Sequence, residues 1–597
     1  MTAKKAIIAA VAMLSILLSA CTNSTLPEHS NSSNVESIDR SQIIDESQAF
    51  TERDQNADYE EDSAVVIDVS DDKSDQGVAV SNGIITISKG GVYILRGNSS
   101  GKRIVIDAGK QDTLQIVLDN VSIHCDNAPA LYVKSASKVI VTLASDSKNT
   151  LSDGNSYNAA DIDNADGVIF SKSDLTINGN GTLTVSGNYK HGIVSKDELT
   201  VMDGNLHITA AKTALYGKDS VKIGGGKLEL FAEGNGIHSA NAEDAAKGFT
   251  YISDGIISVE SSGDGIQAES FINIVGGDIH IKTGGGAEHK GTISSGVSTK
   301  GIKAIKSIAI SGGTVEIDSV DDGIHSNESI NIANTTLKIT TGDDGIHADN
   351  VLTIDSGSIE LTKSYEGLEG ADIIINGGRI IIDADDDGIN ASSGSNSPFE
   401  RMPPAASGKI EINGGYVYVN ADGDGIDSNG DLKVNGGILL VCGPSDSGNG
   451  ALDYDGTAEI SGGIVIALGS SGMAQNFTSA QNQGSILASF SNQQAGTYIS
   501  LCDSDGNIIV SLKSTKAFNS ALISTPAIKT GSTYTICASK SIDGDDANGF
   551  AGNGKASDIA SLTTVNMTSL IYGSGFSFGG NRPGGPGGFG GGMRPPR

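Results

Sequence analysis

The sequence predicts an all-β fold, namely a right-handed parallel β-helix solenoid with rungs of about 22 residues and a C-terminal β segment. The composition is that of a turn-rich β protein, because the 597 residues include 79 Gly, 11 Pro and no Trp, with 5% aromatic residues. The motif D-D-G-I-H occurs at 321–325 and again at 343–347. Short runs of alternating apolar and polar residues lie between Gly, Asn and Asp turns, which is typical of short strands.

The repeat extends well beyond these two motifs. A second marker, G-G followed by alternating apolar residues, precedes the G-I position by ten residues in four repeats. Each run is too short to bury a core alone, so equivalent runs are expected to stack into one continuous apolar column. The right hand follows from the general preference of strand crossovers. The G-I glycines with the most regular spacing are Gly301, Gly323, Gly345, Gly367 and Gly388.

The composition divides the chain into five segments. A polar stretch before the repeats predicts a disordered tether, and a Gly/Pro-rich stretch at the far end predicts a flexible tail. The predicted segments are 1–21, a lipoprotein signal peptide and lipobox; 22–63, the tether; 64–470, the β-helix domain; 471–540, a C-terminal β-strand region; and 541–597, the tail.

The N-terminus predicts export. Lys4 and Lys5 precede a short apolar run that ends in Leu18-Ser19-Ala20-Cys21, which is the pattern of a signal peptide. The L-S-A-C ending resembles the bacterial lipobox, which implies lipidation of Cys21 and a protein anchored at the extracellular face of the cell membrane. The alternative is an ordinary secretory signal with an incidental cysteine.

The net charge limits the partners. With 72 Asp+Glu against 40 Lys+Arg the chain carries −32, so nucleic acid is excluded as a partner by repulsion from its phosphates. A polyanionic ligand meets the same objection unless a cation bridges the two. We expect a monomer.

Acidic residues recur at the turn before the G-I position in most of the later repeats, and the sequence predicts that they hold calcium. Stacked carboxylates about 5 Å apart repel one another, whereas calcium takes oxygen ligands on opposite sides at about that separation. The alternative is that Asp-Asp-Gly serves only as turn chemistry. His325 and His347 are expected to face outward as surface residues rather than ligands. The predicted calcium ligands are Asp321, Asp322, Asp343, Asp344, Glu366, Glu369, Asp385, Asp386, Asp387, Asp422, Asp424 and Asp427.

Several segments, taken in their order along the chain, together resemble a known family. They are QDTLQIVLDNVSIHCDNAPALYV at 111–133, the SKNTLSDG segment, the G-G and D-D-G-I-H-S repeats, and the ending SGMAQNFTSAQNQGSILASF. Together, over roughly residues 75–540, they resemble the bacterial extracellular carbohydrate-binding β-helix family. That resemblance implies binding of cellulose and polygalacturonate, bound calcium and a fold like that of pectate lyases.

Two tyrosines are the predicted sugar-binding residues. Tyr416 and Tyr418 alternate along one strand pattern and are expected to face outward, where their rings could stack on sugars. The alternative is that both are ordinary surface residues of a strand. Cys502 and Cys537 lie in C-terminal strand patterns, and their pairing is left open.

Two lysines bear on whether the protein cleaves the polysaccharide that it binds. Lyases of this fold use Lys or Arg as a base, and Lys300 and Lys303 lie one repeat before Asp321 and Asp322. Nearby carboxylates would keep such an ammonium protonated, so a structural ion pair is favoured. The sequence therefore predicts a lipid-anchored protein that binds pectin, polygalacturonate or cellulose through calcium without cleaving it. The alternatives are a calcium-dependent pectate lyase, and an adhesin or structural surface protein.

Overall fold

The structure is a computed structural model that describes residues 44, 46–160, 162–294, 296–392 and 408–574. The predicted signal peptide, the lipidation site Cys21, residues 22–43 of the predicted tether and residues 575–597 of the predicted tail lie outside the described residues. Within the described part of the chain, no helix is long and apolar enough to span a bilayer.

The fold is all-β, as predicted, and most strands belong to one long sheet of parallel pairs. Through most of the repeats, each strand pairs with the third strand along the chain, which is the pairing pattern of a parallel β-helix. For example, Ile302 pairs with Ile324, and Ile324 pairs with Ile346. Alternate Ile, Leu and Val side chains from successive coils are buried in a single continuous core.

The strands that lead into the repeats are β1 to β12: Val65–Asp68, Val78–Ser81, Ile84–Ile87, Gly91–Ser100, Arg103–Asp107, Thr113–Cys125, Leu131–Ser135, Lys138–Leu143, Lys148–Asp153, Gly167–Ser171, Asp174–Asn178 and Thr182–Gly187. The repeats contain β13 to β43: His191–Ser195, Glu198–Val201, Asn205–Ala210, Leu215–Gly217, Ser220–Ile223, Lys227–Ala232, Ile237–Ser239, Phe249–Ile252, Ile256–Ser261, Ile266–Ala268, Phe271–Ile274, Asp278–Thr283, Ile302–Ala304, Ser307–Ile310, Thr314–Ser319, Ile324–Ser326, Ser329–Ile332, Thr336–Thr341, Ile346–Ile354, Ser358–Ser364, Leu368–Ile375, Arg379–Ala384, Ile389–Ala391, Lys409–Ile412, Tyr416–Ala421, Ile426–Ser428, Asp431–Val434, Ile438–Cys442, Asp453–Tyr454, Ala458–Ile460 and Ile464–Gly469. The C-terminal strands are β44 to β54: Ser479–Ala480, Gly484–Gln493, Tyr498–Cys502, Ile508–Lys513, Phe518–Thr525, Thr533–Ser539, Ser541–Asp543, Phe550–Gly552, Lys555–Ser557, Ala560–Asn566 and Ile571–Tyr572.

Close stacking of the coils explains the glycine in D-D-G-I-H. A Cβ atom added at Gly323 would lie 2.6 Å from the carbonyl oxygen of Gly345 and 2.5 Å from Cγ2 of Ile339. At Gly345 it would lie 2.6 Å from the carbonyl oxygen of Gly367. Only glycine fits where the backbone of the next coil approaches this closely, so the repeated motif is first a requirement of the stacking.

The tether prediction is wrong for the described residues before 64. They form the α-helices Glu46–Ala49 and Glu52–Gln55 and the 3₁₀ helix Glu61–Ser63. Asp54 is buried, and its Oδ1 lies 2.5 Å from Nζ of Lys138. It also accepts a hydrogen bond from the hydroxyl of Thr176. The polar composition that suggested disorder supplies hydrogen bonds to outward-facing strand residues.

The tail prediction is wrong for residues 541–574. The strands β46, β47, β49, β51 and β53 form one antiparallel sheet, and β54 at Ile571–Tyr572 pairs with β45. A second apolar core contains side chains of this sheet together with outward-facing side chains of the last coils, such as Leu440 and Ile466. The C-terminal region therefore covers one outer face of the repeats.

Candidate functional site

The acidic residues that precede the G-I glycines form a ladder along one edge of the coils. We call Asp322, Asp344, Glu366, Asp387 and Asp424 the carboxylate ladder. The backbone N–H of Glu366 donates to Oδ1 of Asp344 over 3.2 Å, and the N–H of Asp424 donates to Oδ1 of Asp387 over 2.6 Å. One oxygen of such a carboxylate thus fixes the next turn, which leaves the other oxygen for another partner.

Lys300 closes one end of the ladder. Its Nζ lies 2.8 Å from Oδ1 of Asp321 and 2.5 Å from Oδ2 of Asp322. Burial disfavours the charged form of Lys300, but these two carboxylates outweigh burial and raise its pKa above the ordinary value. Lys303 donates to the hydroxyl of Ser298 over 3.1 Å. Lys300 is therefore an ion-paired cation, as the sequence favoured.

Two histidines occupy the outward positions beside the ladder. Oδ2 of Asp322 lies 2.9 Å from Nδ1 of His325 and 3.9 Å from Nδ1 of His347. Nδ1 of His347 also lies 3.6 Å from Oδ2 of Asp344 and 3.1 Å from Oε2 of Glu369. The sequence set these histidines aside as surface residues, but the structure brings them into contact with three predicted ligands. The signal in the sequence was their position one residue after the Ile of two consecutive motifs.

A second group contains only oxygen ligands. One carboxylate oxygen from each of Asp387, Asp424 and Asp427 lies within 4.8 Å of the others. Burial and neighbouring Asp387 raise the pKa of Asp424 to about 8 and that of Asp427 to about 7. Burial raises the pKa of Asp387 to about 6. These carboxylates are costly to ionise without a cation.

Asn390 adds a fourth oxygen that the sequence reasoning missed. The residue is 9% exposed, and its Nδ2 donates to Oε2 of Glu366 over 2.8 Å. Its Oδ1 is buried and has no hydrogen-bond partner. Glu366 belongs to the preceding coil, whereas Asn390 pairs with Asp427 of the following coil. Asn390 therefore lies between the coil of Glu366 and the coil of Asp427.

The remaining predicted ligands do not all converge. Asp321, Asp322 and Asp343 form a third group with oxygens within 4.8 Å. Among the described residues, four of the predicted ligands belong to none of the clusters in which three or more metal-ligating side chains come together. Two of these, Asp385 and Asp422, are exposed, and Oδ1 of Asp422 pairs with Nζ of Lys516 at 2.7 Å. The four predicted ligands outside the groups are Glu366, Asp385, Asp386 and Asp422.

Tyr416 and Tyr418 do not form an exposed platform. Both face away from the main core, as predicted, but the C-terminal region covers that face and leaves Tyr418 only 8% exposed. The hydroxyl of Tyr416 donates to Oδ2 of Asp546 over 2.6 Å, and its ring lies 4.6 Å from the guanidinium carbon of Arg379. Strand alternation gives the direction of a side chain, but it does not reveal what another segment covers.

Tyr365 is an exposed tyrosine beside the ladder. It is 42% exposed, and its backbone connects the coil of Asp343 to the coil of Asp386 through hydrogen bonds of 2.7 and 2.9 Å. A hydrogen bond to the Asp386 carboxylate raises the pKa of the Tyr365 hydroxyl to about 12. Its signal in the sequence was an aromatic residue at the position that is Asp in the two preceding repeats and in the next one, Asp321, Asp343 and Asp386.

Comparisons with known proteins agree with the resemblance read from the sequence. A curated protein described as a carbohydrate-binding domain-containing protein, from Acetivibrio thermocellus, is 31% identical over 211 residues, which are 35% of this chain and 74% of that protein. A solved structure, described as that of the polysaccharide lyase-like protein from C. thermocellum in a gadolinium derivative, has 27% identity and a TM-score of 0.31. The aligned region covers 49% of this chain and 96% of the chain in the solved structure. The family profile described as carbohydrate-binding domain-containing protein matches residues 81–345 and 343–525, and this chain belongs to that family.

Proposed function

We propose that this carbohydrate-binding protein holds calcium at the carboxylate ladder and binds an acidic plant-type polysaccharide there without cleaving it. Polygalacturonate or pectin is the favoured ligand, and cellulose is the neutral alternative. The observation that carries the proposal is the group of Asp387, Asp424 and Asp427, whose carboxylates are drawn together where burial opposes their charge.

Calcium suits this group because its donors are oxygens. Calcium binds carboxylate and amide oxygens at about 2.3–2.6 Å, so opposite ligands lie about 5 Å apart. Asp387, Asp424 and Asp427 meet that limit, and the unpartnered oxygen of Asn390 offers a neutral fourth donor. The charges that raise the pKa of Asp427 come from Asp387, Asp453 and Asp455. A divalent cation would offset this repulsion.

The same cation would reconcile an acidic protein with an acidic ligand. The chain carries −32, so direct contact with polygalacturonate is unfavourable. A uronate carboxylate that completes the coordination of calcium would convert repulsion into a bridge. The exposed ring of Tyr365 beside the ladder would stack on a sugar.

The position of Lys300 supports binding without cleavage. A lyase base must lose its proton near the working pH, whereas Asp321 and Asp322 hold Lys300 in its protonated form. In the lyase alternative, Lys303 would be the base that abstracts the proton. The adhesin alternative would use calcium only to stiffen the coils.

The test is co-sedimentation of the chain lacking residues 1–21 with insoluble polygalacturonate, in calcium and in excess chelator. Retention is expected only with calcium and is expected to fall in Asp424→Asn. The matched control is Asp254→Asn, in an isolated turn whose carboxylate caps its own Gly255 N–H over 2.8 Å. Equal retention in chelator would refute the calcium bridge, and new ultraviolet absorbance in the supernatant would favour the lyase.

The role of Tyr365 has a separate test in the same assay. We expect Tyr365→Ala to weaken retention, because the exposed ring beside the ladder is lost. Tyr572→Ala is the matched control, since Tyr572 is 37% exposed on the C-terminal strand β54. Equal effects of the two substitutions would remove Tyr365 from the binding site.

We further propose that the coil is right-handed, with rungs of about 22 residues, and that the protein is a monomer lipid-anchored through Cys21 at the extracellular face of the membrane. The equal intervals between Ile302, Ile324 and Ile346, which pair on consecutive coils, support the rung length, and the preference of crossovers supports the hand. Metabolic labelling with a fatty acid, compared between the native chain and Cys21→Ala, tests the anchor.

A further inference from the structure

His325 and His347 stand at equivalent positions on successive coils and share one carboxylate. Their backbones pair in register, and their ring centroids lie 4.8 Å apart at 87°. The side chains are 13% and 22% exposed, and that of Asp322 is 4% exposed. Two imidazoles and a buried carboxylate therefore meet at one point of the surface.

The outer nitrogen of each ring has an oxygen as its neighbour. Nε2 of His325 lies 3.1 Å from Oδ1 of Asn327, and Nε2 of His347 lies 3.4 Å from Oδ1 of Asp349. These oxygens accept hydrogen bonds, so they hold the ring proton on Nε2 when Nδ1 binds a cation. An oxygen partner on the far nitrogen is the usual way in which a metal-binding histidine is oriented.

The inner nitrogens face carboxylate oxygens. Nδ1 of His325 is buried, and Oδ2 of Asp322 lies 2.9 Å away. Lone pairs that face one another in a buried place repel, and a cation between them removes the repulsion. A single metal ion would serve both histidines, whereas a proton would serve one nitrogen at a time.

The distances match the requirements of a small transition-metal ion. Zinc binds histidine nitrogen at about 2.0–2.1 Å, so two ligand atoms in a tetrahedral site lie about 3.3 Å apart. The separations of Nδ1 of His347 from oxygens of Asp322, Asp344 and Glu369 are 3.9, 3.6 and 3.1 Å. Together with the 2.9 Å between His325 and Asp322, these values bracket that spacing.

The charged groups around this point are mostly carboxylates, which favour a bound cation. Lys300 lies 2.5 Å from Oδ2 of Asp322, but that oxygen has a second lone pair. Asp344 and Glu369 face the same point and have His347 as their nearest basic neighbour. Other titratable groups around the point are Asp321, Asp343, Glu366 and Asp349, together with Lys303, which pairs in register with His325 on the adjacent coil.

We propose that Asp322, His325 and His347 bind a divalent transition-metal ion of the zinc class, with Glu369 or Asp344 in the fourth position. Imidazole distinguishes this site from the oxygen-only group of Asp387, Asp424 and Asp427, because it favours zinc, copper, nickel and iron over calcium. The inference does not depend on polysaccharide binding, and the two sites are separable by the choice of metal.

The experiment uses the chain without residues 1–21 and without a histidine tag, after treatment with chelator. Cobalt is titrated in first, and visible absorption reports its coordination; zinc then competes for the site. We expect one equivalent of zinc per chain at this site, unaffected by a millimolar excess of calcium. His325→Gln and His347→Gln are each expected to weaken zinc binding by about 100-fold, and Asn327→Ala by about 10-fold through loss of the outer partner.

His280→Gln is the matched control. His280 also lies between two carboxylates, 3.3 Å from Asp278 and 3.2 Å from Glu316, but it is 48% exposed, and its in-register neighbours on the adjacent coils are Ser258 and Glu316 rather than a second histidine. Unchanged zinc affinity in His280→Gln is expected. Circular dichroism checks that the glutamine variants are folded, and X-ray absorption at the zinc edge of the unsubstituted protein should count two imidazoles.

Three results would overturn the proposal. They are the absence of zinc binding by the unsubstituted protein, equal zinc affinity in all histidine variants, and full displacement of zinc by calcium. Each would assign the histidines to hydrogen-bonded pairs with Asp322 and Glu369. Loss of polygalacturonate retention with zinc binding intact would refute only the proposed function.

Discussion

Oδ1 of Asp387 accepts a hydrogen bond of 2.6 Å from the backbone N–H of Asp424 on the next coil. Oδ1 of Asp344 makes the same kind of contact with the N–H of Glu366, over 3.2 Å. The ladder is therefore part of the backbone stacking and not a row of freely solvated charges. The oxygens that accept these hydrogen bonds differ from the oxygens that we propose to bind a cation.

Substitution of Asp387 should separate these two roles. Asp387→Asn keeps a carbonyl oxygen that can accept from Asp424, whereas Asp387→Ala leaves that N–H without its partner. We expect the alanine variant to lose about 1–3 kcal/mol of stability relative to the asparagine variant. Thermal unfolding in excess chelator measures the difference.

Calcium should affect the same two variants equally. Both lack the negative charge, so neither is expected to show the increase in melting temperature that we expect calcium to give the unsubstituted protein. A full calcium response in Asp387→Asn would remove the Asp387 charge from the proposed site. Equal melting temperatures of the two variants in chelator would remove its structural role.

The acidic group also predicts how stability depends on pH. In the folded protein burial raises the pKa of Asp424 and Glu366 to about 8 and of Asp427 to about 7, whereas ordinary carboxyl groups titrate near about 4. Between these limits the folded state holds protons that the unfolded state has released. The free energy of unfolding in chelator is therefore expected to fall as pH rises from about 4 to about 8.

Each extra proton held by the folded state gives a slope of about 1.4 kcal/mol per pH unit. Calcium replaces these protons, so its affinity should rise with pH and the slope should flatten when calcium saturates the site. Asp424→Asn should flatten the slope without calcium. Melting temperatures across this range that stay constant in chelator would contradict the prediction.

The fold could be predicted from the sequence because it rests on local repetition. Gly323 and Gly345 mark where consecutive coils approach, and the Ile after each glycine faces the core. Such features recur at a fixed interval, so they can be predicted from the spacing of residues in the sequence. The same logic placed Asp322 and Asp344 at one edge.

Contacts between distant segments could not be predicted in this way. Tyr418 faces outward as strand alternation requires, yet the C-terminal region buries it. Asp54 lies in a polar stretch, yet it pairs with Lys138, which is distant from it in the sequence. No periodicity relates these positions. The contacts of Asn390, His325 and His347 could not be predicted for another reason, since they depend on which nitrogen or oxygen of the side chain faces inward.

Cys502 and Cys537 are predicted to form a disulfide under oxidising conditions. Both are buried free thiols on neighbouring antiparallel strands, and their sulfur atoms lie 3.2 Å apart. Closing a loop of 35 residues should add about 4 kcal/mol of stability. Mass spectrometry after mild oxidation should show the loss of two hydrogen atoms, and melting should shift upward.

Cys537→Ser is the control for that oxidation, and Cys125→Ser is the matched variant, because Cys125 is also a buried free thiol. We expect the first substitution to abolish both the mass change and the stabilisation, and the second to leave them unchanged. A pair that stays reduced in the unsubstituted protein would show that the strands hold the thiols too rigidly to bond.

The buried pair of Asp54 and Lys138 should fix the N-terminal segment to the coils. The Asp54 side chain is 1% exposed, and its Oδ1 lies 2.5 Å from Nζ of Lys138. Removing one partner of a buried ion pair costs about 3–5 kcal/mol, because the other charge is left uncompensated. Asp54→Ala should therefore increase the open population of residues 51–63 about 100-fold or more, measured as faster hydrogen–deuterium exchange.

A surface ion pair nearby provides the comparison. Oδ2 of Asp107 lies 2.9 Å from Nζ of Lys134, but these side chains are 42% and 45% exposed. Such a pair contributes at most about 1 kcal/mol, so Asp107→Ala should leave exchange of the N-terminal segment unchanged. Asp54→Ala combined with Lys138→Met should recover part of the protection, because no unpaired charge then remains. Fast exchange of residues 51–63 in the unsubstituted protein would instead return this segment to the role of a tether.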